Sequence, residues 1–243
     1  MTLFLIGIGL EENDISLKAV NSLKMCNKIY LESYTSIGIS KGYLERLLNK
    51  KIESKDREFF ENESKKIIQE AKKENIAILI QGDCLSATTH LSILQEAKEN
   101  KVKAEIIHGI SVFTAVGETG LSLYNFGKTT SIPFSYKNIR TPYEAIKSNL
   151  EKEMHTLVLL DLNPKENKFL TTSESLKYLV SLGLDKEKKA VICSKLGTKV
   201  KEIKYGKIKD LINTKLKDFP QCIIIPGKMH FMEEDFLNKT CQH

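Results

Sequence analysis

Ile76-Ala77-Ile78-Leu79-Ile80-Gln81-Gly82-Asp83 decides the fold of this chain. Five consecutive apolar residues stopped by a glycine read as a strand buried on both faces. An aspartate stands at its carboxyl end. The same grammar recurs on either side. Upstream, residues 3–8 read as a buried strand ended by the turn Gly7-Ile8-Gly9, and Ile29-Tyr30-Leu31 reads as a second, short strand. Downstream, residues 102–107 run as a strand into His108-Gly109-Ile110-Ser111-Val112. Helical spacing fills the gaps. Leu17, Val20 and Leu23 follow Asp14, which is expected to cap their helix, and further helices are expected at 43–48, 64–73 and 89–100. Strands alternating with helices imply βαβ units and a mostly parallel sheet. The ligand of such a sheet lies at the carboxyl ends of its strands. Those ends are residues 7–10, 82–86 and 108–112, so three loops are expected to face one crevice.

The pattern restarts after about Gly120. Strands are expected at 128–133, 156–162, 190–194 and 222–225. Helices are expected at 142–153, with Pro142 near its start, at 172–182 and at 207–216. There is no internal repeat and no low-complexity linker. The fold class is therefore α/β, with two α/β domains joined near residues 112–125 and divided as 1–118 and 119–243.

Composition narrows the possible functions. The 243 residues are 41% hydrophobic and 28% charged, ordinary for a folded globular protein. The formal charge of +6 comes from scattered lysine runs, such as Lys65-Lys66 and Lys72-Lys73, which read as solvated helix faces. Without exposed aromatics interleaved among them they do not describe a nucleic-acid site. A macromolecular partner with an acidic patch remains compatible with that charge. The five cysteines, Cys26, Cys84, Cys193, Cys222 and Cys241, lack metal-site or redox-pair spacing and read as free thiols in a reducing compartment. No secretory leader and no apolar run of membrane-spanning length is visible, so a cytoplasmic location is expected.

Each candidate motif has a functional and a bland reading. Gly7-Ile8-Gly9-Leu10 sits where a dinucleotide fingerprint would, but the third glycine of that fingerprint is absent and Glu11, Glu12 and Asp14 follow. Three carboxylates there disfavour a pyrophosphate, which argues against a nicotinamide oxidoreductase. The alternative is a plain tight turn. Asp83 can accept hydrogen bonds from a ligand amine or hydroxyl, or complement a sulfonium charge, or merely cap the next helix. Ser86 and Ser111 can offer hydroxyls. His90 and His108 invite a catalytic or metal role, but no acidic or thiol group sits at ligand spacing in sequence, so neither is assigned one.

Taken in order, the motifs resemble a known family. They are Leu-Ile-Gly-Ile-Gly-Leu at 5–10, Asp-Ile-Ser-Leu-Lys at 14–18, Leu-Glu-Ser-Tyr-Thr-Ser at 31–36, Gly82-Asp83, Ala-Thr-Thr-His at 87–90 and Ile-His-Gly-Ile-Ser-Val at 107–112. Ala115-Val116-Gly117, Thr119-Gly120-Leu121, Tyr-Asn-Phe-Gly-Lys at 124–128, His-Thr-Leu-Val-Leu-Leu-Asp at 155–161 and Ile-Pro-Gly-Lys-Met-His at 225–230 complete the series. From residue 3 to about 234 the chain resembles the tetrapyrrole-methylase (class III) group of methyltransferases. Leu-Glu-Ser-Tyr-Thr-Ser and Ala-Thr-Thr-His point to its diphthine-forming branch rather than to its porphyrin-directed or ribosomal RNA-directed relatives.

The resemblance implies a homodimer of two-domain chains that binds S-adenosylmethionine in the cleft between the domains and releases S-adenosylhomocysteine. It implies cofactor positions at Leu10, Asp83, Ser86, Ser111, Val112, Leu160, Leu196 and Cys222. It also implies a protein substrate, translation elongation factor 2, methylated on the amino group of a modified histidine. No metal is implied, and no catalytic base is named, because an amine can lose its proton to water. Three departures stand out. Cys84 replaces the proline usual after Gly-Asp, which frees an amide and predicts a looser loop. Ser86 replaces a commonly apolar residue, and Lys195 stands where arginine is frequent. A protein that binds the cofactor without transferring its methyl group is the remaining alternative.

Overall fold

The computed structural model describes residues 1–34, 36–86 and 90–241. The chain divides into two compact units, Met1–Phe113 and Thr114–His243, each built on its own five-stranded sheet.

In the first unit, β1 (Thr2–Gly7), β2 (Lys28–Glu32), β3 (Glu53–Lys55), β4 (Ile76–Ile80) and β5 (Lys103–Ile107) are all parallel, in the order β3-β2-β4-β1-β5. Helices α1 (Leu17–Lys24), α2 (Lys41–Leu48), α3 (Arg57–Asn62), α4 (Ser64–Ala71) and α5 (Leu91–Glu99) lie between them in sequence. Successive residues of a strand point to opposite faces, and both faces are covered here. Ile6, Ala77 and Leu79 pack with Leu23 and Leu44, whereas Leu5, Ile78 and Ile80 pack with Ile67, Ile68 and Ile93. That is why β1 and β4 read as apolar runs without alternation. Gly7 pairs with Ile80 and Ile6 with Ile107, so β4, β1 and β5 end nearly level.

Two expectations change in this unit. Asp14 does not cap α1. Ser16 does, its hydroxyl accepting from Ala19 N at 3.1 Å. The edge strand β3 has no counterpart in the sequence reading. Glu53-Ser54-Lys55 pairs with β2 but carries no apolar signal, a composition that protects a sheet edge from pairing with other chains.

In the second unit, a short helix α6 (Val112–Ala115) spans the junction, followed by β6 (Thr130–Ile132), α7 (Thr141–Glu151) and β7 (Thr156–Leu160). A small hairpin of β8 (Leu162–Asn163) and β9 (Lys168–Phe169) precedes α8 (Thr172–Ser181). Then come β10 (Lys189–Ser194), β11 (Glu202–Lys207), α9 (Ile208–Leu211), β12 (Gln221–Ile225) and α10 (Phe231–Thr240). The sheet order is β11-β10-β12-β7-β6, antiparallel except where β6 joins β7. Ile146, Val158, Leu176, Leu179, Ile192 and Ile223 form its core. Pro142 lies in the first turn of α7, and Thr171 and Glu174 form a capping box on α8. The helix expected at 207–216 shrinks to the single turn α9. Residues 202–207 instead pair along the whole of β10. The alternation of Ile203 and Tyr205 with polar neighbours carried that strand signal, beneath a run of lysines that mimics a helix face.

Candidate functional site

The three carboxyl-terminal loops of the first sheet are tied to one another by specific bonds. Gly9 N donates to Gly82 O at 3.1 Å, and Gly82 N returns the bond to Gly9 O at 2.8 Å. Gln81 Nε2 also donates to Gly9 O, at 3.0 Å. Gly9 and Gly82 have φ of 86° and 79°, where a side chain would be strained. A Cβ on Gly9 would stand 2.1 Å from Asp14 Cβ, because Asp14 folds back across the turn. Its Oδ2 accepts from Leu10 N at 2.8 Å and Glu11 N at 3.0 Å. Asp14 therefore closes the first loop and fixes Leu10. The backbone amides that would receive a phosphate in a dinucleotide site already have a carboxylate on them.

Asp83 ties the second loop to the third. Its Oδ1 accepts from Leu85 N at 2.9 Å and Ser86 Oγ at 3.2 Å, and its Oδ2 accepts from Gly109 N at 3.1 Å. His108 Nδ1 lies 2.8 Å from the same Oδ2. The Asp83 side chain is 9% exposed, whereas the His108 ring is 70% exposed. Burial pushes the Asp83 carboxyl up, but the Leu85 amide, the His108 ring and the Gly109 amide together hold it below its ordinary range. Asp83 is thus an ionised clamp with both oxygens committed to the protein. The third loop turns directly into α6, where Ser111 Oγ accepts from Phe113 N at 3.2 Å and half-buried Val112 opens the helix.

The loops converge over Gly82. The position a Cβ would take there is 3.8 Å from Leu10 Cδ2, 3.8 Å from Ile110 O and 4.0 Å from Ser111 Cα. Leu10, Asp83, Ser86, Ser111 and Val112 accordingly belong to one neighbourhood, and its three loops contain no lysine or arginine.

One reading of this neighbourhood is corrected. His108 does have acidic and thiol neighbours, since ligand atoms of Asp83, Cys84 and His108 lie within 4.8 Å of one another. They do not make a good metal site. The Cys84 thiol is buried, sits 3.6 Å from Leu5 O and Ile107 O, and is pushed up to about 11 by burial and by the Asp83 charge. A metal would need it as a thiolate, and would need Asp83 released from its donors. At the position of the usual proline, the Cys84 thiol donates to Leu5 O and Ile107 O, both at 3.6 Å.

The candidates of the second unit also share one sheet edge. Leu160 ends β7, Cys222 pairs with Leu159 and with Cys193, and Leu196 follows the end of β10. All three are buried. The two branch-specific segments meet as well. Glu32, at the end of β2, lies 3.2 Å from His90, both side chains fully buried. Thr35 and residues 87–89 of those segments lie outside the described residues. Sequence reasoning missed the latch role of Asp14 and the pairing of Asp83 with His108. The first had a local signal, an aspartate four residues beyond Leu10, and the second had none.

Comparison with known proteins agrees with this architecture. Residues 2–212 match the family model of tetrapyrrole (corrin/porphyrin) methylases. The chain is 44% identical to the diphthine synthase of Methanocaldococcus jannaschii, covering 99% of each chain. It is 42% identical to that of a Methanococcus maripaludis strain, covering 97% of each. A crystal structure of a diphthine synthase superposes with a TM-score of 0.94 at 30% identity, over 100% of this chain and 97% of that one.

Proposed function

The chain belongs to the tetrapyrrole (corrin/porphyrin) methylase family, in its diphthine synthase group, and is a methyltransferase; from that premise we propose that it uses S-adenosylmethionine to methylate the amino group of a modified histidine, the diphthamide precursor, on translation elongation factor 2. The observation that supports this reading most is the convergence of Leu10, Gly82 and Ser111 on one space at the sheet's carboxyl edge. A cradle of glycine backbone and a leucine side chain, without a cationic residue, suits a sulfonium nucleoside better than a phosphate ligand.

The residues proposed to hold the cofactor are Leu10, Asp83, Ser86, Ser111 and Val112 of the first unit and Leu160, Leu196 and Cys222 of the second. When bound, S-adenosylmethionine supplies a methyl group that is already a strong electrophile. The protein's work is then alignment, which makes the encounter effectively unimolecular. Asp14 and Asp83 do that work indirectly, by fixing the three loops before any ligand arrives. Asp83 also places an ionised carboxylate beside a site meant for a positive sulfur. The net charge of +6 would help steer an elongation factor toward the enzyme. The same reading makes the enzyme a cytoplasmic homodimer. Among the described residues, no helix is long and apolar enough to cross a membrane.

The test is transfer of a tritiated methyl group from S-adenosylmethionine to elongation factor 2. Label should enter factor that carries the unmethylated precursor and not factor with the unmodified histidine. Label in both, or in neither, contradicts the proposed acceptor.

A further inference from the structure

We propose that His108 is the proton acceptor of the methyl-transfer reaction, with Asp83 as the residue that positions it; this rests on the amine-methylation reading above. An ionised carboxylate can only accept hydrogen bonds, so the 2.8 Å contact with Asp83 Oδ2 places the ring hydrogen on Nδ1. The lone pair of the neutral imidazole is then on Nε2. That atom belongs to a ring 70% exposed, on the loop whose Ile110 and Ser111 border the space over Gly82. A buried carboxylate that fixes the tautomer of a largely exposed ring is an arrangement built to accept a proton and pass it to water.

The proton balance calls for an acceptor, and a positioned imidazole takes the proton faster than water alone. An amine at neutral pH is largely an ammonium ion and must lose one proton for each methyl it receives. His108 Nε2 takes that proton and becomes imidazolium, stabilised by Asp83. The freed nitrogen lone pair forms the new N–C bond as the C–S bond breaks, and the bonding pair leaves on sulfur, giving a neutral thioether. The exposed imidazolium returns its proton to solvent before the next transfer. The titratable atoms grouped with the ring are the Asp83 carboxylate and the Cys84 thiol. The end of β1 contributes only Gly7, whose backbone lies against Gly109. Asp83 stays ionised and Cys84 stays protonated across the neutral range, so neither substitutes for the histidine.

The experiment uses the His108→Asn enzyme, because an asparagine amide can still donate to Asp83 but cannot take up a proton. Single-turnover methylation of elongation factor 2 carrying the precursor is followed from about pH 6 to 9, with S-adenosylhomocysteine affinity measured by calorimetry. At neutral pH the variant should be slower by about 10²-fold, the usual lower bound for a general base. Its cofactor affinity should stay within about threefold. The deficit should shrink toward pH 9, where the amine deprotonates unaided. A purely structural role would instead lower affinity, or lower the rate equally at every pH. A variant with the wild-type rate and pH profile overturns the proposal. If the wild-type enzyme itself leaves the factor unmethylated, the acceptor reading has failed separately. The histidine is then judged by nitrogen NMR, with His108 identified by its absence from the variant's spectrum. The Nδ1–H tautomer supports the proposal and the Nε2–H tautomer overturns it.

Discussion

Replacing Asp83 with asparagine keeps the shape of the side chain and removes only its charge and one acceptor. The consequence follows from the four donors around it. If the new amide NH2 faces the third loop, His108 can change tautomer to accept from it, but the Gly109 N–H cannot. If it faces the second loop, the Ser86 hydroxyl can rotate to accept, but the Leu85 N–H cannot. Either way one backbone donor in a side-chain environment only 9% exposed loses its partner. An unsatisfied buried N–H costs about 1–3 kcal/mol, and the remaining bonds lose their charge assistance, worth about 1 kcal/mol in total. The sum is roughly 2–4 kcal/mol. At about 2–4 °C per kcal/mol for a protein of this length, the melting temperature should fall by roughly 4–16 °C. Calorimetry reads the melting temperature and, separately, S-adenosylhomocysteine affinity, which should weaken at least tenfold as the loops part. Ser86→Ala should cost under about 1 kcal/mol, since it removes one partly exposed donor. An Asp83→Asn protein that melts within a degree of wild type and binds with unchanged affinity would refute the reasoning.

Other expectations follow from the same geometry. Asp14→Ala should weaken cofactor binding while leaving α1 intact, because Ser16 and not Asp14 caps that helix; a loss of helical circular dichroism without a loss of affinity would contradict this. Gly109→Ala puts a Cβ 2.5 Å from Gly82 O and 2.6 Å from Gly7 C, so backbone must move. Destabilisation of about 3 kcal/mol or more is expected, read as a lower urea midpoint. Cys26 and Cys84 are buried and their thiols are pushed up to about 11, above the ordinary value near 9. The folded protein thus holds those protons longer than the unfolded chain does. Their stabilising contribution is complete below about pH 9 and is lost as pH rises through about 11. Denaturant midpoints should therefore fall between pH 9 and 11, and a thiol-specific disulfide reagent at pH 8 should label Cys84 only on unfolding. Rapid labelling of Cys84 in the native protein would contradict its burial.

The parallel sheet was legible because burial on both faces leaves an unmistakable trace. Residues 3–8 and 76–80 are apolar without alternation, residues 102–107 interleave Lys103 and Glu105 with apolar residues as befits the edge strand β5, and the places where the three runs stop mark the loops that converge over Gly82. The polar edge strand β3 left no such trace, and β11 left one that its lysines disguised. Asp14 was misread because an aspartate ahead of a helix has two local uses, and the choice between cap and loop latch is settled by Gly9's positive φ and by Ser16 two residues later. The clamp from Asp83 to His108 joins residues 25 apart. No local period reports a bond between loops. It appears only once parallel pairing on both sides of β1 brings β4 and β5 to a common edge.

The central claim is that the three strand-end loops of the first unit hold the methyl donor. A crystal structure of the protein with S-adenosylhomocysteine tests it most directly. The ligand should contact Leu10, the Gly82–Asp83 backbone and Ser111–Val112, with the Asp83 bonds to Leu85 and Gly109 retained. Density for the ligand away from all three loops, or density at the loops only after the Asp83 clamp has opened, would contradict it.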